Sequence, residues 1–320
     1  MGRTALIMTM IALTTASHAG GVKVEVLRPA EITVPSSVQR IAVINRTGTR
    51  NLGEEVLVTL TDLVTGEAPG SDRAQSEDAV ALLIAALDDS PRFEFVEVDA
   101  DLSEHLGGLG ARRLDAEVVQ AICEDRCDAI VSLEKFDVED DEPLLGVPTS
   151  SGDAVWRMYR ASDGEILDQE DTWTLGFGSE RVVNVYDAVF EGEAPRSHAE
   201  ASAVAYLQRI VPTWELERHR LFSSSIGLRY GVRRARKGDW KSAMKAWSVV
   251  AKESSGRRRS RALYNMAIGY EIHDDQARAD DHATAAVEEH ESRATRRLAD
   301  DLDARRRSVL RAERQLAMGE

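Results

Sequence analysis

Cysteine is almost missing from this chain: its 320 residues contain two, Cys123 and Cys127, both in the segment ICEDRCDAIVSLE. A Cys-x-x-x-Cys without a second ligand pair does not make a zinc site. It also differs from the thioredoxin motif, which has two intervening residues and sits at a helix start. Four residues apart at a helix end, the two sulfurs fall within disulfide reach. An intramolecular bond and a pair of buried thiols both remain open, and so small a loop adds little stability.

The other absences bear on chemistry. His105, His198, His219, His273, His282 and His290 are scattered and form neither an HExxH motif nor an i, i+4 pair, so no metal site is expected. Ser223-Ser224-Ser225 lacks the Gly-x-Ser-x-Gly elbow, and no Walker-type glycine loop is present. The acidic run Asp137-Val138-Glu139-Asp140-Asp141-Glu142 lacks the EF-hand order, so it reads as a solvated loop after a strand. Glu134 and Asp137, read as sharing a strand face, are the one carboxylate pair that a hydrolase reading has to work with. No catalytic residue, cofactor or metal is expected.

Aromatic residues make up 5% of the chain. None is interleaved with the arginines at 257–261, which removes the stacking surface that single-stranded nucleic acid requires. No apolar run reaches the roughly twenty residues of a membrane helix. The nearest is Ala5 to Leu13, preceded by Arg3 and followed by Ser17-His18-Ala19. That order reads as a signal peptide over 1–19, cleaved between Ala19 and Gly20. No Cys follows it, so no lipid anchor is expected, and the mature chain is placed in the periplasm or at the outer membrane.

Charge is present but uneven. The formal balance is −15, yet residues 221–320 carry 21 Lys/Arg and 15 Asp/Glu, while residues 1–220 carry 19 and 40. A chain of this length supports two domains. The asymmetry reads either as two differently solvated surfaces or as a basic half that meets an anionic partner or docks on the acidic half.

The stretch from Tyr230 to Ala286 organises the rest. It reads as two helical hairpins of the tetratricopeptide (TPR) kind, with Gly231 and Ala267, and Ala243 and Ala279, each 36 residues apart. Gly238 ends one helix, Asp239 caps the next, and Trp240 and Trp247 fill the seam, with Tyr270 and Ala286 as packing positions of the second repeat. Arg257, Arg258, Arg259 and Arg261 read as an insertion loop between the repeats. With Arg234 and Lys237 they are the candidate contacts to a protein or peptide partner.

Ahead of the repeats, the pattern is strand, helix, strand, helix, strand, then a hairpin. Gly21 to Val34 alternates with a break at Pro29, and Ile41 to Asn45 is a continuous apolar run, the mark of a strand covered on both faces. Residues 51–76 read as a long connection, with Ser76 capping a helix that Ser90-Pro91 stops. Phe93 to Val98 is a strand, Gly107, Gly108 and Gly110 mark a loop, and Asp115 opens a second helix. Cys127-Asp128 leads into a third strand, and two further strands join at Ser162-Asp163-Gly164. Ser197 caps a long helix running to about Arg220, which Pro212 kinks or breaks. The expected organisation is an α/β mixed-sheet domain over 20–196, a connecting helix over 197–225, two TPR-like repeats over 226–290 and an all-α closing helix over 291–320.

At LRPAEITV, RIAVINR, DSPRFEFVEVD and CDAIVSLEKFD, the chain resembles bacterial envelope proteins of unknown function that carry an α/β domain followed by TPR-like helices. The RIAVIN strand is also similar to the first domain strand of the CsgG and TolB amino-terminal families. The resemblance spans roughly residues 22–290. It implies a periplasmic or outer-membrane-associated accessory protein without known enzymatic activity, acting as a binding or scaffolding component. A self-associating structural component and a periplasmic hydrolase are the alternatives.

Overall fold

The computed structural model describes residues 21–47, 71–98, 113–144, 147–175 and 197–318, with side chains left aside at 71–72, 139–151 and 172–175. The segment read as a signal peptide with its Ala19–Gly20 junction, most of the expected long connection, His105 and the expected loop at Gly107, Gly108 and Gly110 lie outside the described residues. The chain divides into two units. One comprises residues 26–216 with 308–320, the other residues 217–307 with the chain up to Glu25.

The first unit is α/β. Its five-stranded sheet has the order β3-β2-β4-β5-β6, built from Arg40–Asn45 (β2), Glu94–Phe95 (β3), Ala129–Leu144 (β4), Val147–Arg160 (β5) and Ile166–Leu175 (β6). β2 runs parallel to β3 and to β4, and β4-β5-β6 is an antiparallel meander. Alternate residues of β2 point to opposite faces. Ile41 and Val43 pack with Leu83 and Leu87 of α1 (Ser71–Asp88) and with Tyr206, Leu207 and Ile210 of α3 (His198–Ile210). Ala42 and Ile44 pack with Val119 and Ile122 of α2 (Ala116–Cys123). Both faces are covered, which is why β2 reads as an unbroken apolar run. Trp156 of β5 is fully buried, stacks on Tyr206 at 5.3 Å and donates to Ser202 Oγ at 2.8 Å.

Several boundaries differ from the sequence reading. The acidic run 137–142 is not a loop: β4 continues through it to Leu144, paired with β5 as far as Asp141 and, after a register shift, again at Leu144. Ladder pairing outweighs the weak strand preference of Asp and Glu there. Ser76 does not begin α1 but sits one turn inside it. Its hydroxyl donates to Arg73 O at 2.8 Å and accepts from Asn45 Nδ2 at 3.0 Å. The strand expected at 93–98 is reduced to Glu94–Phe95.

The connecting helix expected over 197–225 is a helix followed by a strand. α3 stops at Ile210, Val211 is extended at φ −124°, and Pro212 cannot donate to continue the ladder. Thr213–Arg220 then forms β7, which pairs with β1 (Gly21–Arg28) as a separate two-stranded sheet. The buried positions of β7 include Thr213, Glu215 and His219, while Trp214 is 53% exposed, so the hydrophobic pattern is inverted relative to an ordinary strand.

The second unit is all-α after β7. It holds α4 (Ile226–Ala235), α5 (Trp240–Glu253), α6 (Gly256–Glu271), α7 (Gln276–Glu289) and the first part of α8 (Arg293–Ala317).

Candidate functional site: a basic helical hairpin

The helices of the second unit form two hairpins with the same turn. In the first, Gly238 adopts φ +77° and Asp239 N donates to Arg234 O at 3.0 Å. In the second, 36 residues on, Asp274 adopts φ +57° and Asp275 N donates to Tyr270 O at 3.0 Å. Asp239 caps α5 by accepting from Ser242 N at 3.1 Å, and Asp275 caps α7 by accepting from Arg278 N at 3.2 Å. The cap hydrogen bond from Ser242, with Arg234 alongside, holds the Asp239 carboxyl below its usual range.

Inside the first hairpin Trp247 is fully buried, Trp240 and Ala243 flank it, and Trp247 Nε1 donates to Leu228 O at 3.3 Å. A Cβ on Gly231 would lie 2.1 Å from that nitrogen, so only glycine fits. The equivalent pair 36 residues later is Ala267 and Ala283: the ring is gone, and the glycine with it. Ala267, Ala279 and Ala286 are all buried. Tyr270 stands half-buried against His282 at 4.8 Å with the Arg278 guanidinium over its ring at 5.6 Å.

The arginines at 257–261 are not an insertion loop. Ser255 and the left-handed Gly256, at φ +57°, set up α6, and all four arginines lie in its first turns. They do not converge into one clamp. Arg259 pairs with Glu289 at 3.5 Å. Arg261 lies over the Phe222 ring at 5.1 Å and donates to Ser224 Oγ at 2.7 Å, and its partial burial, with Arg257 near, lowers its pKa. Arg257 and Arg258 remain exposed. Arg234 is half-buried and bound to Asp239, whereas Lys237 is exposed in the turn.

What the sequence reading passed over is the outer side of the first hairpin. From Ile226 to Arg259 there are 11 Lys/Arg and two Asp/Glu. Arg229, Arg233, Arg236, Lys237, Lys241, Lys245 and Lys252 are exposed, and no ion pair joins them to a carboxylate among the described residues. On α4 the exposed residues recur as Ile226, Arg229, Tyr230 and Arg233, and on α5 as Lys241, Lys245, Val249 and Lys252. These spacings make one stripe per helix. The signal was available in that periodicity, read for the outside of the helix rather than for its core.

Several charged groups elsewhere are held in ion pairs. Glu134 is fully buried, ion-paired with Arg46 and, at 4.0 Å, with Arg157, and its Oε1 accepts from Tyr159 at 2.7 Å. Asp137 is on the surface with Lys135, 3.6 Å away. The structure therefore does not bring Glu134 and Asp137 together as a carboxylate pair. In the helical unit Arg305 bridges Glu271 and Glu217, with His219 Nε2 3.8 Å from each carboxylate. Burial, reinforced by Arg305 and opposed by Glu217, pulls His219 down to about 4. Cys123 and Cys127 are joined by a disulfide at the end of α2, with Cα atoms 5.1 Å apart. Among the described residues no group of three or more His, Cys, Asp or Glu is placed to hold a metal ion. None of their helices is long and apolar enough to cross a membrane.

Comparison with known proteins gives two family matches. The model described as "Domain of unknown function (DUF8603)" matches residues 38–222, and that described as "Domain of unknown function (DUF6340)" matches residues 229–310. No curated protein matches. Among solved structures the chain is similar to the hypothetical protein CT253 from Chlamydia trachomatis, at 12% identity and a TM-score of 0.30, covering 53% of this chain and 96% of that one. It is also similar to the PelC dodecamer from Paraburkholderia phytofirmans in two crystal forms, at 11% and 9% identity. Both have a TM-score of 0.28 and cover 59% of this chain and 97% of that one.

Proposed function

The chain belongs to the family described as Domain of unknown function (DUF8603), and we propose that it is a non-enzymatic binding or scaffolding protein of the bacterial cell envelope. In this reading residues 1–19 direct export. The α/β unit is a fixed body, and the TPR-like hairpins hold an anionic protein or peptide partner. The observation that carries it is the charge of the first hairpin and the start of α6: 11 basic residues against two acidic, most of them exposed and unneutralised. Like charge left uncompensated on a folded surface disfavours the compact state, and a partner of opposite sign relieves that while raising the encounter rate. The Cys123–Cys127 bond supports export, because disulfides persist outside the reducing cytoplasm.

The test keeps the whole chain, since a version ending at Thr213 would also delete Gln315, which ties residues 30–33. Replacing Arg257, Arg258 and Arg259 by Ser removes one half-exposed ion pair, worth at most about 1 kcal/mol. The fold is therefore expected to survive. Affinity capture from native envelopes is expected to recover a partner with the unsubstituted chain and to lose it, together with its salt dependence, with the variant. Equal recovery by both would remove the arginines from the proposal.

A further inference from the structure

We propose that the outer face of the α4–α5 hairpin docks on an anionic lipid bilayer. The inference goes beyond the protein-partner reading: it draws on the same first-hairpin charge, but its test substitutes other residues than Arg257, Arg258 and Arg259, so the two fail separately. Three apolar side chains break the surface there: Ile226, 86% exposed, Tyr230, 45%, and Val249, 44%. Ile226 and Val249 lie at one end of the hairpin, and Tyr230 follows Ile226 by one turn of α4. Gly227 lies so close to Val250 that a Cβ would meet it at 2.6 Å, which brings Ile226 and Val249, the residues just before each, to the same end. Along the same two helices stand Arg229 and Arg233 of α4 and Lys241, Lys245 and Lys252 of α5, all exposed, with no carboxylate partner among the described residues.

This combination distinguishes a bilayer from an acidic peptide. A peptide groove would hold its apolar anchors in a recess, whereas Ile226 is almost as exposed as a free side chain. Apolar tips surrounded by cations suit the boundary between headgroups and acyl chains, where Tyr is at home and Ile and Val enter the hydrocarbon. On α5 the exposed cations are all lysine, compact charges on flexible stems that need no fixed partner geometry and so suit a diffuse field of headgroup phosphates. Basic residues held within a Debye length of an anionic leaflet each strengthen attachment about fivefold.

The experiment is co-sedimentation of the signal-free full chain with vesicles of phosphatidylcholine alone or of three parts phosphatidylcholine to one part phosphatidylglycerol. Binding is expected to the mixed vesicles, at least tenfold weaker to the neutral ones, and weakened by salt. The combined substitution Lys241→Gln, Lys245→Gln, Lys252→Gln is expected to weaken it on the order of 100-fold, while circular dichroism shows an unchanged fold. Tyr230→Ser with Val249→Ser should weaken binding even at low salt, where charge alone operates best. The proposal is overturned by equal binding to both vesicles, by no binding to either, or by an unaffected glutamine variant. It is also overturned if the mixed vesicles are ignored while an acidic polypeptide, or a second copy seen by light scattering, is bound through the same lysines.

Discussion

Arg46, the residue following β2, and Glu134 of β4 form an ion pair whose side chains are 1% and 0% exposed. Tyr159 adds a hydrogen bond to the same carboxylate, and burial, with that carboxylate alongside, pushes the Tyr159 phenol up. Glu134→Gln leaves Arg46 buried with its main counter-charge gone, and we expect a loss of about 3–5 kcal/mol in urea unfolding. The double variant Arg46→Met, Glu134→Leu should lose less, because the cation left beside the site, Arg157 at 4.0 Å, is also held by Gln169. Equal losses would mean that the site is held by shape rather than by charge pairing.

His219 makes the helical unit sensitive to acid. Its folded value, about 4, lies below the ordinary 6.5, so the unfolded chain takes up the proton first. The stability due to the neutral ring is therefore complete above about pH 6.5 and is lost as pH falls toward 4, by up to roughly 3 kcal/mol. Glu217 and Glu271 face the ring and Arg305 lies among them, so the test isolates the histidine. His219→Gln should flatten the stability profile between pH 6.5 and 4, and an unchanged slope would assign the effect to the carboxylates.

The two hairpins should respond differently to the same added methyl. Gly231→Ala drives a Cβ into the rigid, fully buried Trp247 ring, and we expect a loss of about 3 kcal/mol or more. Gly269→Ala meets the Met244 sulfur, and a thioether can swing away. Its loss in thermal unfolding should be the smaller of the two, partly offset by the better helix propensity of alanine.

The Cys123–Cys127 bond encloses Glu124 and Asp125, both left-handed at φ 45° and 63°. Closing so short a loop contributes on the order of 2 kcal/mol. Cys123→Ala with Cys127→Ala is expected to lose about that much in denaturant unfolding without abolishing the fold. Adding Asp125→Gly should return part of it, since glycine adopts that φ without strain.

How legible was all this beforehand? β2 and the first part of β4 announce themselves because both of their faces are buried in apolar side chains. β7 does not, because its inward residues include Thr213, Glu215 and His219, and a strand with a polar inner face carries no apolar alternation. The far end of β4 was hidden for a related reason: Asp140 and Asp141 are strand residues only because Ser150 and Thr149 lie opposite them. The start of α6 was masked by three successive arginines where a helix N-terminus favours acids. Within the hairpins, the 36-residue period exposed the turn and the Trp247 seat. The pairing of Arg46 with Glu134, 88 residues apart, has no local trace.

Gln315 near the end of α8 accepts from Ala30 N at 2.9 Å and donates to Ala30 O and Ile32 O at 3.2 and 3.1 Å. These contacts span more than 280 residues, and they lie within the α/β unit itself. A ribosome making this chain therefore releases its first half long before the residue that anchors that half exists. The α/β unit gains this tie only after α8 has been made, so its closure waits on a contact of far higher sequence separation than those of its sheet.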